Sequence, residues 1–156
     1  MLGTRAPSGA LPVPVARASE FSPADRDQIL RADTFFIATE HPDAGADASH
    51  KGGNPGFVKV LDDRRIAFPD YNGNHMFNTL GNLAINPNAG LLFIDFDSGR
   101  TLQLTGRASI DWNPERAREF AGAKRVVDFE VAEIVTNESG FPLMVKFRQY
   151  SRFNPA

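Results

Sequence analysis

The sequence predicts a mainly β domain of the α+β class, built as an antiparallel β-barrel. Six or so apolar or β-branched runs follow one another, with turn-forming residues between them at short spacing. The helical patterns between these runs are all short, whereas a parallel sheet needs a crossover helix between successive strands. These two observations favour an antiparallel barrel over a parallel α/β sheet.

Composition narrows the class of protein. The 156 residues are most simply one domain, and 42% hydrophobic residues with 13 Phe can build a core. A net charge of −2 gives no sign of nucleic-acid binding, and the lack of Cys excludes thiolate chemistry. No apolar run approaches the roughly 20 residues that span a bilayer. Because Pro12 and Pro14 interrupt the apolar N-terminal residues, we expect no secretory signal and a cytoplasmic location.

The N-terminal part of the chain predicts an arm followed by a helix. Residues 1–20 are rich in Ala, Pro, Gly and Ser, and we expect them to form a flexible arm ahead of one domain over residues 21–156. Ser22 is a suitable N-cap, and Pro23 fits the first position of a helix that ends near Ala32.

A strand, a long loop and a hairpin are expected next. Residues 34–39 are β-branched and aromatic, which predicts a buried strand. Residues 40–56 predict a long loop, and long loops are often functional. Residues 57–61 and 65–68 then form a β-hairpin around Asp62-Asp63.

The second half of the chain predicts another hairpin, a helix and two strands. Residues 90–97 and 100–112 pair around Ser98-Gly99. Pro114 fits the first position of a helix that runs to Gly122. The two remaining strands, the first with a possible bulge, are residues 125–136 and 143–153.

Aromatic residues supply much of the predicted core. Trp112, at the end of a strand, is expected either in the core or in an interface. The rings expected in the core are Phe35, Phe36, Phe57, Phe68, Phe93 and Phe96.

The segment of residues 70–87 connects the two hairpins and organises the rest of the chain. Asn72-Gly73 predicts a tight turn, because both residues tolerate positive φ. A helix can begin near Asn74 and run to Ile85, and Asn86-Pro87 ends it because a residue before proline avoids the helical region.

The two faces of this predicted helix differ in character. A solvated face usually carries Lys, Glu or Arg, but residues 71–94 carry no formal charge unless His75 is protonated. A glycine turn that leads into a helix N-terminus presents free N–H groups to an anion. We therefore expect a phosphate-bearing ligand here; the alternative is a plain connecting helix with a neutral surface. The polar face comprises His75, Asn78, Thr79 and Asn82, and the apolar face Met76, Phe77, Leu80, Leu83 and Ala84.

Five blocks of sequence carry a family resemblance: residues 47–58, 61–64, 70–87, 90–93 and 104–108. In order and spacing they resemble the pyridoxamine 5′-phosphate oxidase-like family of FMN-binding split barrels. The resemblance runs roughly from residue 34 to residue 108. It implies a six-stranded split β-barrel that forms a homodimer, with FMN at the dimer interface.

The resemblance also implies contacts with the cofactor. The flavin phosphate would lie at the turn and helix after the third strand, the face that composition had already singled out. Lys51 could stabilise the reduced flavin anion and His50 could donate a proton, unless both are solvated loop residues. The implied contacts are Ser49, His50 and Lys51 near the ring, Asn74, His75, Asn78, Thr79 and Asn82 near the phosphate, and Arg100, Thr101 and Gln103, often from the other subunit.

Two departures from the family pattern limit the analogy. Many close relatives carry one or two arginines just after the Gly-Asn turn, where this chain has His75-Met76, so Lys51 or Lys59 would have to supply the charge. The pyridoxamine phosphate oxidases proper have a longer substrate-binding tail, of which residues 150–155 are a faint echo. We therefore do not predict oxidation of vitamin B6.

The expected function is an FMN-dependent oxidoreductase that acts on a small substrate as a homodimer. Its hydride would come from a reduced nicotinamide, NAD(P)H, or from the substrate. One alternative is a binding protein of the same fold that holds a flavin, the deazaflavin F420 or haem. Another is an interaction module whose N-terminal arm docks on a larger redox partner. No metal site is predicted, because the spacing of His41, Asp43, Asp47 and His50 fits no ligand pattern.

Overall fold

One antiparallel sheet dominates the computed structural model, which describes residues 15–43, 45–71 and 76–138. Its elements are β1 (Ala16–Ala18), α1 (Pro23–Arg31), β2 (Thr34–His41), β3 (Gly45–Gly52), β4 (Lys59–Val60), β5 (Arg65–Tyr71), α2 (Met76–Ile85), β6 (Asn88–Ile94), β7 (Thr101–Asp111), α3 (Pro114–Ala117) and β8 (Ala123–Asn137). Within these residues the strands pair in the order β3-β2-β6-β7-β8-β5-β4, and β1 pairs with β8. All of these pairings are antiparallel, which confirms the predicted fold class.

Both predicted hairpins are present. β4 pairs with β5, and β6 pairs with β7. The second turn contains Gly99 at a φ of 79°, in the left-handed region that favours glycine. The predicted bulge is also present: Thr105 and Gly106 of β7 face Glu133 and Val131 of β8, so one residue of β8 is left over between them.

The long loop predicted over residues 40–56 is wrong for most of its length. β2 extends to His41, and Gly45–Gly52 forms β3, which pairs with β2 along its whole length. The sequence hides this strand because Ala, Asp, Ser and Gly have weak β propensity. β3 lies at the edge of the sheet, where backbone hydrogen bonds to β2 hold it. The predicted ring contacts therefore lie on a strand with a fixed register.

The helices follow their capping signals. Ser22 caps α1 as predicted: its hydroxyl accepts from the Asp25 N–H, and the Asp25 carboxylate accepts from the Ser22 N–H. α3 ends at Ala117, well before the predicted end at Gly122. Within the described residues, no helix is long and apolar enough to cross a membrane.

The predicted N-terminal arm is partly ordered. Residues 16–18 form β1 and pair with β8, so the arm prediction is wrong for these residues. β1 adds backbone hydrogen bonds that local composition cannot indicate, because its partner lies far along the chain. The rest of the arm up to residue 14 and the predicted strand over residues 143–153 lie outside the described residues.

Phenylalanine rings form the centre of the core. The ring of Phe35 lies 5.8 Å from that of Phe57, 4.9 Å from that of Phe68 and 5.1 Å from that of Phe93, measured between centroids. All four side chains are buried, as predicted. Burial of each such side chain contributes about 1.5–3 kcal/mol to folding.

Two of the predicted core rings lie elsewhere. Phe36 is 38% exposed, because it follows Phe35 in β2 and consecutive strand residues point to opposite faces of the sheet. Phe96 is only half-buried in the turn after β6. Trp112, at the end of β7, is 63% exposed, which excludes the core position.

Candidate functional site

The residues predicted to contact the flavin ring, Ser49, His50 and Lys51, lie on both faces of β3. Lys51 is buried and Ser49 is half-buried, so both lie on the inner face of the strand. His50 is exposed on the outer face, where its ring lies 5.7 Å from the ring of Phe36 and its Nε2 contacts the hydroxyl of Thr34. The structure therefore brings Lys51 and Ser49 together and separates His50 from them.

Asp70, near the end of β5, is a buried carboxylate with one unpaired oxygen. Its Oδ2 lies 3.2 Å from Nε of Arg125, which faces it across the β5–β8 pairing. Its Oδ1 is buried and has no hydrogen-bond partner among the described residues. Such an oxygen is rare in folded proteins, because leaving a buried acceptor unpaired costs about 1–3 kcal/mol. Asp70 therefore marks a point where the fold keeps a buried acceptor without a partner in the described structure.

Three cations act on this carboxylate. Arg125, Lys51 and Lys124 all favour its charged form, yet burial outweighs them and raises the pKa of Asp70 above its usual range. Burial likewise lowers the pKa of Lys51, although Asp70 and Asp47 oppose the shift. We name these five residues, Asp47, Lys51, Asp70, Lys124 and Arg125, the Asp70 cluster. It contains three cations and two carboxylates, so one positive charge is in excess.

α2 turns part of its predicted polar face towards the sheet. Nδ2 of Asn82 donates to Oγ1 of buried Thr39 at 3.1 Å. On the predicted apolar face, Leu83 is buried as expected, but Ala84 is exposed because it lies one residue further round the helix. The other predicted phosphate contacts lie outside what the structure describes: Asn74, His75 and the side chains of Asn78 and Thr79.

Arg100, predicted to face the cofactor, bonds within the chain instead. Its Nη2 donates to Oδ1 of Asp25 at 2.7 Å, its Nη1 to Oε1 of Gln28 at 2.6 Å, and its Nε to Oε1 of Glu138 at 3.1 Å. Each guanidinium nitrogen thus has an acceptor. We name these four residues the Arg100 cluster. Its contacts hold α1 against the start of β7, which favours a structural role for Arg100.

Gln103 lies beside an apolar area on the outer face of the sheet, while Thr101 is half-buried at the start of β7. Outward positions of a solvated antiparallel sheet are usually polar. Here they are apolar, and they surround a shallow cavity of about 280 Å³. We name this area the outer patch; its residues are Phe36, Ala38, Ala48, Gly90 and Leu92.

Sequence reasoning did not single out Asp70 or Arg125 as site residues. A charge at the end of the apolar run of β5 was the available signal for Asp70. No local signal exists for Arg125, because its position depends on the pairing of β5 with the distant β8. Lys59, considered as a source of phosphate-binding charge, donates from Nζ to the Glu119 carbonyl at 2.6 Å and lies over the Phe120 ring.

His41, Asp43, Asp47 and His50, the loop residues considered as metal ligands, do not form a metal site among the described residues. Among the described residues, no group of three or more His, Asp or Glu is arranged to hold a metal ion. The ring of His41 instead accepts a hydrogen bond from the N–H of Asp43 at its Nδ1.

The sequence identifies the class of protein that this fold and site define. Residues 21–140 match the family model described as pyridoxamine 5′-phosphate oxidase. The chain therefore belongs to the pyridoxamine 5′-phosphate oxidase family, which confirms the resemblance noted from its motifs. A comparison with curated proteins found no match.

Solved structures share the fold at low sequence identity. HupZ from Group A Streptococcus is 18% identical, with a TM-score of 0.61 over 78% of this chain and 97% of that chain. A protein related to general stress protein 26, of the pyridoxinephosphate oxidase family, from Clostridium acetobutylicum is 10% identical, with a TM-score of 0.54 over 74% and 87%. A FAD-binding protein from Mesorhizobium loti is 10% identical, with a TM-score of 0.51 over 78% and 96%. These similarities establish the split-barrel fold.

Proposed function

We propose that this chain binds FMN as a homodimer and acts as an FMN-dependent oxidoreductase on a small substrate. The observation that carries the proposal is the family match over residues 21–140. The fold shared with a FAD-binding protein from Mesorhizobium loti supports a flavin as the ligand. When bound, the flavin supplies the hydride chemistry, and the proposed hydride donor is NAD(P)H.

The described residues fit a flavin that carries a phosphate. The excess positive charge of the Asp70 cluster favours an anion, and α2 begins five residues after Tyr71. The N–H groups in the first turn of a helix have no partner within the helix, which also favours an anion. Lys51 and Ser49 share the inner face of β3, so both can face the same ligand. The ammonium group of Lys51, which is shielded from water, would stabilise negative charge on the reduced flavin.

A second copy of the chain is the proposed cover of the outer patch. Phe36 and Leu92 would lose contact with water on association, which is a favourable change. Gln103 lines the same cavity, so a partner that covers the patch would lie next to Gln103. This arrangement agrees with the resemblance, which implies that β7 contacts the cofactor across the dimer interface.

The first test is the visible absorption spectrum of the purified protein. Flavin bands that heat releases as FMN, followed by bleaching of the bound flavin with NADH or NADPH without oxygen, would support the proposal. Tight FMN binding without reduction would favour a non-catalytic binding protein. A colourless protein that takes up no added FMN would overturn the proposal and lead to titrations with F420 and haem.

Replacement of the proposed phosphate contacts tests the site itself. Asn78→Leu together with Thr79→Val should abolish flavin retention and leave the fold intact, as judged by circular dichroism. Ser109→Ala, at an exposed hydroxyl on β7, is the control and should retain flavin. Unchanged FMN affinity in the double variant would show that this helix face does not hold the cofactor.

The oligomeric state tests the proposed cover of the outer patch. Phe36→Lys and Leu92→Lys should each convert the dimer into a monomer, measured by light scattering after size-exclusion chromatography. Ser109→Lys adds the same charge to the outer face of β7 away from the patch and should stay dimeric. A monomeric wild-type protein, or patch variants that remain dimers, would contradict this interface.

A further inference from the structure

Asn82 belongs to the polar face of α2, but its amide is bonded to the sheet. Its Nδ2 donates to Oγ1 of Thr39 on β2 at 3.1 Å. Thr39 is only 3% exposed, and Asn82 is half-buried. The amide therefore has a partner within the protein, on the helix face where the family resemblance implies contacts with the cofactor.

The bond joins α2 to the strand pair that carries the proposed ring contacts. Thr39 of β2 faces Asp47 of β3, and directly paired residues of an antiparallel sheet lie side by side on one face. Alternate residues of a strand share a face, so Ser49 and Lys51 continue the face of β3 on which Asp47 lies. The position of α2 relative to Ser49 and Lys51 is therefore set through Thr39.

The hydrogen bond adds a directional contact to an apolar one. Leu83 is buried and holds α2 against the core, but hydrophobic contact is non-directional. Among the described side chains of α2, residues 81–85, Asn82 makes the only hydrogen bond to the sheet. Because a hydrogen bond has a preferred distance and angle, this bond fixes the rotation of α2 about its own axis.

The rotation of α2 affects more than one residue. Asn78 and Thr79 precede Asn82 by four and three residues, a spacing that places all three on one face of a helix. A helix moves as a unit, so a rotation at Asn82 would carry the whole polar face with it. The bond between Asn82 and Thr39 thus controls how this face is presented to the inner face of β3.

We propose that Asn82 is a positioning residue that acts through Thr39 and holds the polar face of α2 where flavin binding requires it, opposite Ser49 and Lys51. This inference rests on the proposed flavin function. It gives Asn82 a different role from the direct cofactor contact that the resemblance implies. Without the bond, α2 is still attached through Leu83 but can rotate, so FMN binding has to order the helix again.

A double-mutant cycle tests this coupling. The flavin-free protein is titrated with FMN, and binding is followed by flavin fluorescence in the wild type, Thr39→Val, Asn82→Ala and the double variant. Each single variant should bind FMN about twofold to tenfold more weakly, the equivalent of one hydrogen bond, and the double variant no more weakly than either. The visible circular dichroism of the bound flavin should change in the same way in both single variants.

Two further variants separate positioning from a general loss of stability. Thr39→Ser keeps the hydroxyl and should retain the wild-type affinity and spectrum. Thr136→Val removes another buried hydroxyl, on β8, and should leave FMN binding unchanged.

The outcomes that contradict the inference differ from those that contradict the proposed function. An unaffected Thr39→Val beside a weakened Asn82→Ala would show that Asn82 contacts the cofactor directly. Two unaffected single variants, or losses that multiply in the double variant, would also overturn the inference and leave the flavin function intact. A wild-type protein that takes up no FMN would overturn the proposed function, and this inference with it.

Discussion

Two charged clusters buried against the same sheet differ in how completely their atoms are paired. In the Arg100 cluster each guanidinium nitrogen has an acceptor, and Asp25 uses one oxygen for Arg100 and the other for the Ser22 N–H. In the Asp70 cluster, within the described part of the chain, one oxygen of Asp70 has no partner and Arg125 contacts Asp70 through Nε only. Burial of charge is therefore no sign of a binding site. The two clusters differ in this respect: one is fully paired and holds α1 against the sheet, whereas the other keeps a buried carboxylate oxygen without a partner among the described residues.

The unpaired cluster lowers the stability of the ligand-free protein. An unsatisfied buried oxygen costs about 1–3 kcal/mol, which a fully paired cluster avoids. Natural proteins tolerate such costs mainly at functional sites, where a ligand later satisfies the open groups. Changes to the two clusters should therefore have opposite effects on stability.

The largest effect is expected from breaking the fully paired cluster. Arg100→Met leaves buried Asp25 without its counter-charge, which should lower the free energy of unfolding by about 3–5 kcal/mol. Urea unfolding followed by circular dichroism measures this loss. The affinity of the folded variant for FMN should stay the same. A large loss of FMN affinity would instead support the sequence-based prediction that Arg100 contacts the cofactor.

Removing the buried amine should act in the opposite direction. Burial makes the ammonium of Lys51 less stable in the folded chain than in the unfolded chain, and Lys51→Met removes this cost. The variant should therefore have a higher free energy of unfolding at pH 7, with a change smaller than that of Arg100→Met. Because burial lowers the pKa of Lys51, the unfolded chain binds this proton more tightly, so wild-type stability rises with pH in the alkaline range. The advantage of the variant should therefore shrink there. A variant that is less stable at pH 7 would contradict the prediction.

A smaller gain is expected at the unpaired carboxylate. Burial raises the pKa of Asp70, so the folded state favours its protonated form and loses that stabilisation as pH rises through the raised pKa. Because burial disfavours the charged carboxylate more than the nearby cations favour it, Asp70→Asn should raise the free energy of unfolding slightly at pH 7. The gain should vanish below the ordinary pKa of an aspartate. Urea midpoints across this acidic range test it, and a gain that persists in acid would count against the pKa argument.

The smallest effect is expected from an exposed ion pair, which serves as the reference for both clusters. Arg17 of β1 and Glu133 of β8 pair at 2.6 Å, with side chains 68% and 48% exposed. Arg17→Ala should change the free energy of unfolding by less than about 1 kcal/mol. Thermal unfolding under identical conditions gives the comparison. A loss above about 1 kcal/mol would mean that this exposed ion pair stabilises the fold more than its solvent exposure predicts.

Local signals in the sequence predicted a large part of the fold. Ser22 and Pro23 defined the start of α1, and Ser98-Gly99 defined the turn between β6 and β7. These features depend on residues that are close in sequence, and their side chains act on the backbone next to them. The β3 strand was missed because its stability comes from pairing with β2 and not from its own residues.

The candidate site was only partly predictable for the same reason. The inner-face position of Lys51 follows from the register of β3 against β2, which the sequence alone does not give. The contact between Asp70 and Arg125 joins two strands that are far apart in the chain. The motifs indicated where the family binds its cofactor. Only the pairing of distant strands shows which polar side chains lie together at that place.

The only tryptophan in the chain makes the Asp70 cluster directly observable. Trp112 is 63% exposed, and the guanidinium of Arg125 lies over its ring. Indole emission is sensitive to nearby charge, so a ligand that draws Arg125 away from the ring would change the intensity or wavelength of this emission. The unlabelled protein thus contains its own optical reporter, which can follow ligand arrival in real time without a dye or a catalytic assay.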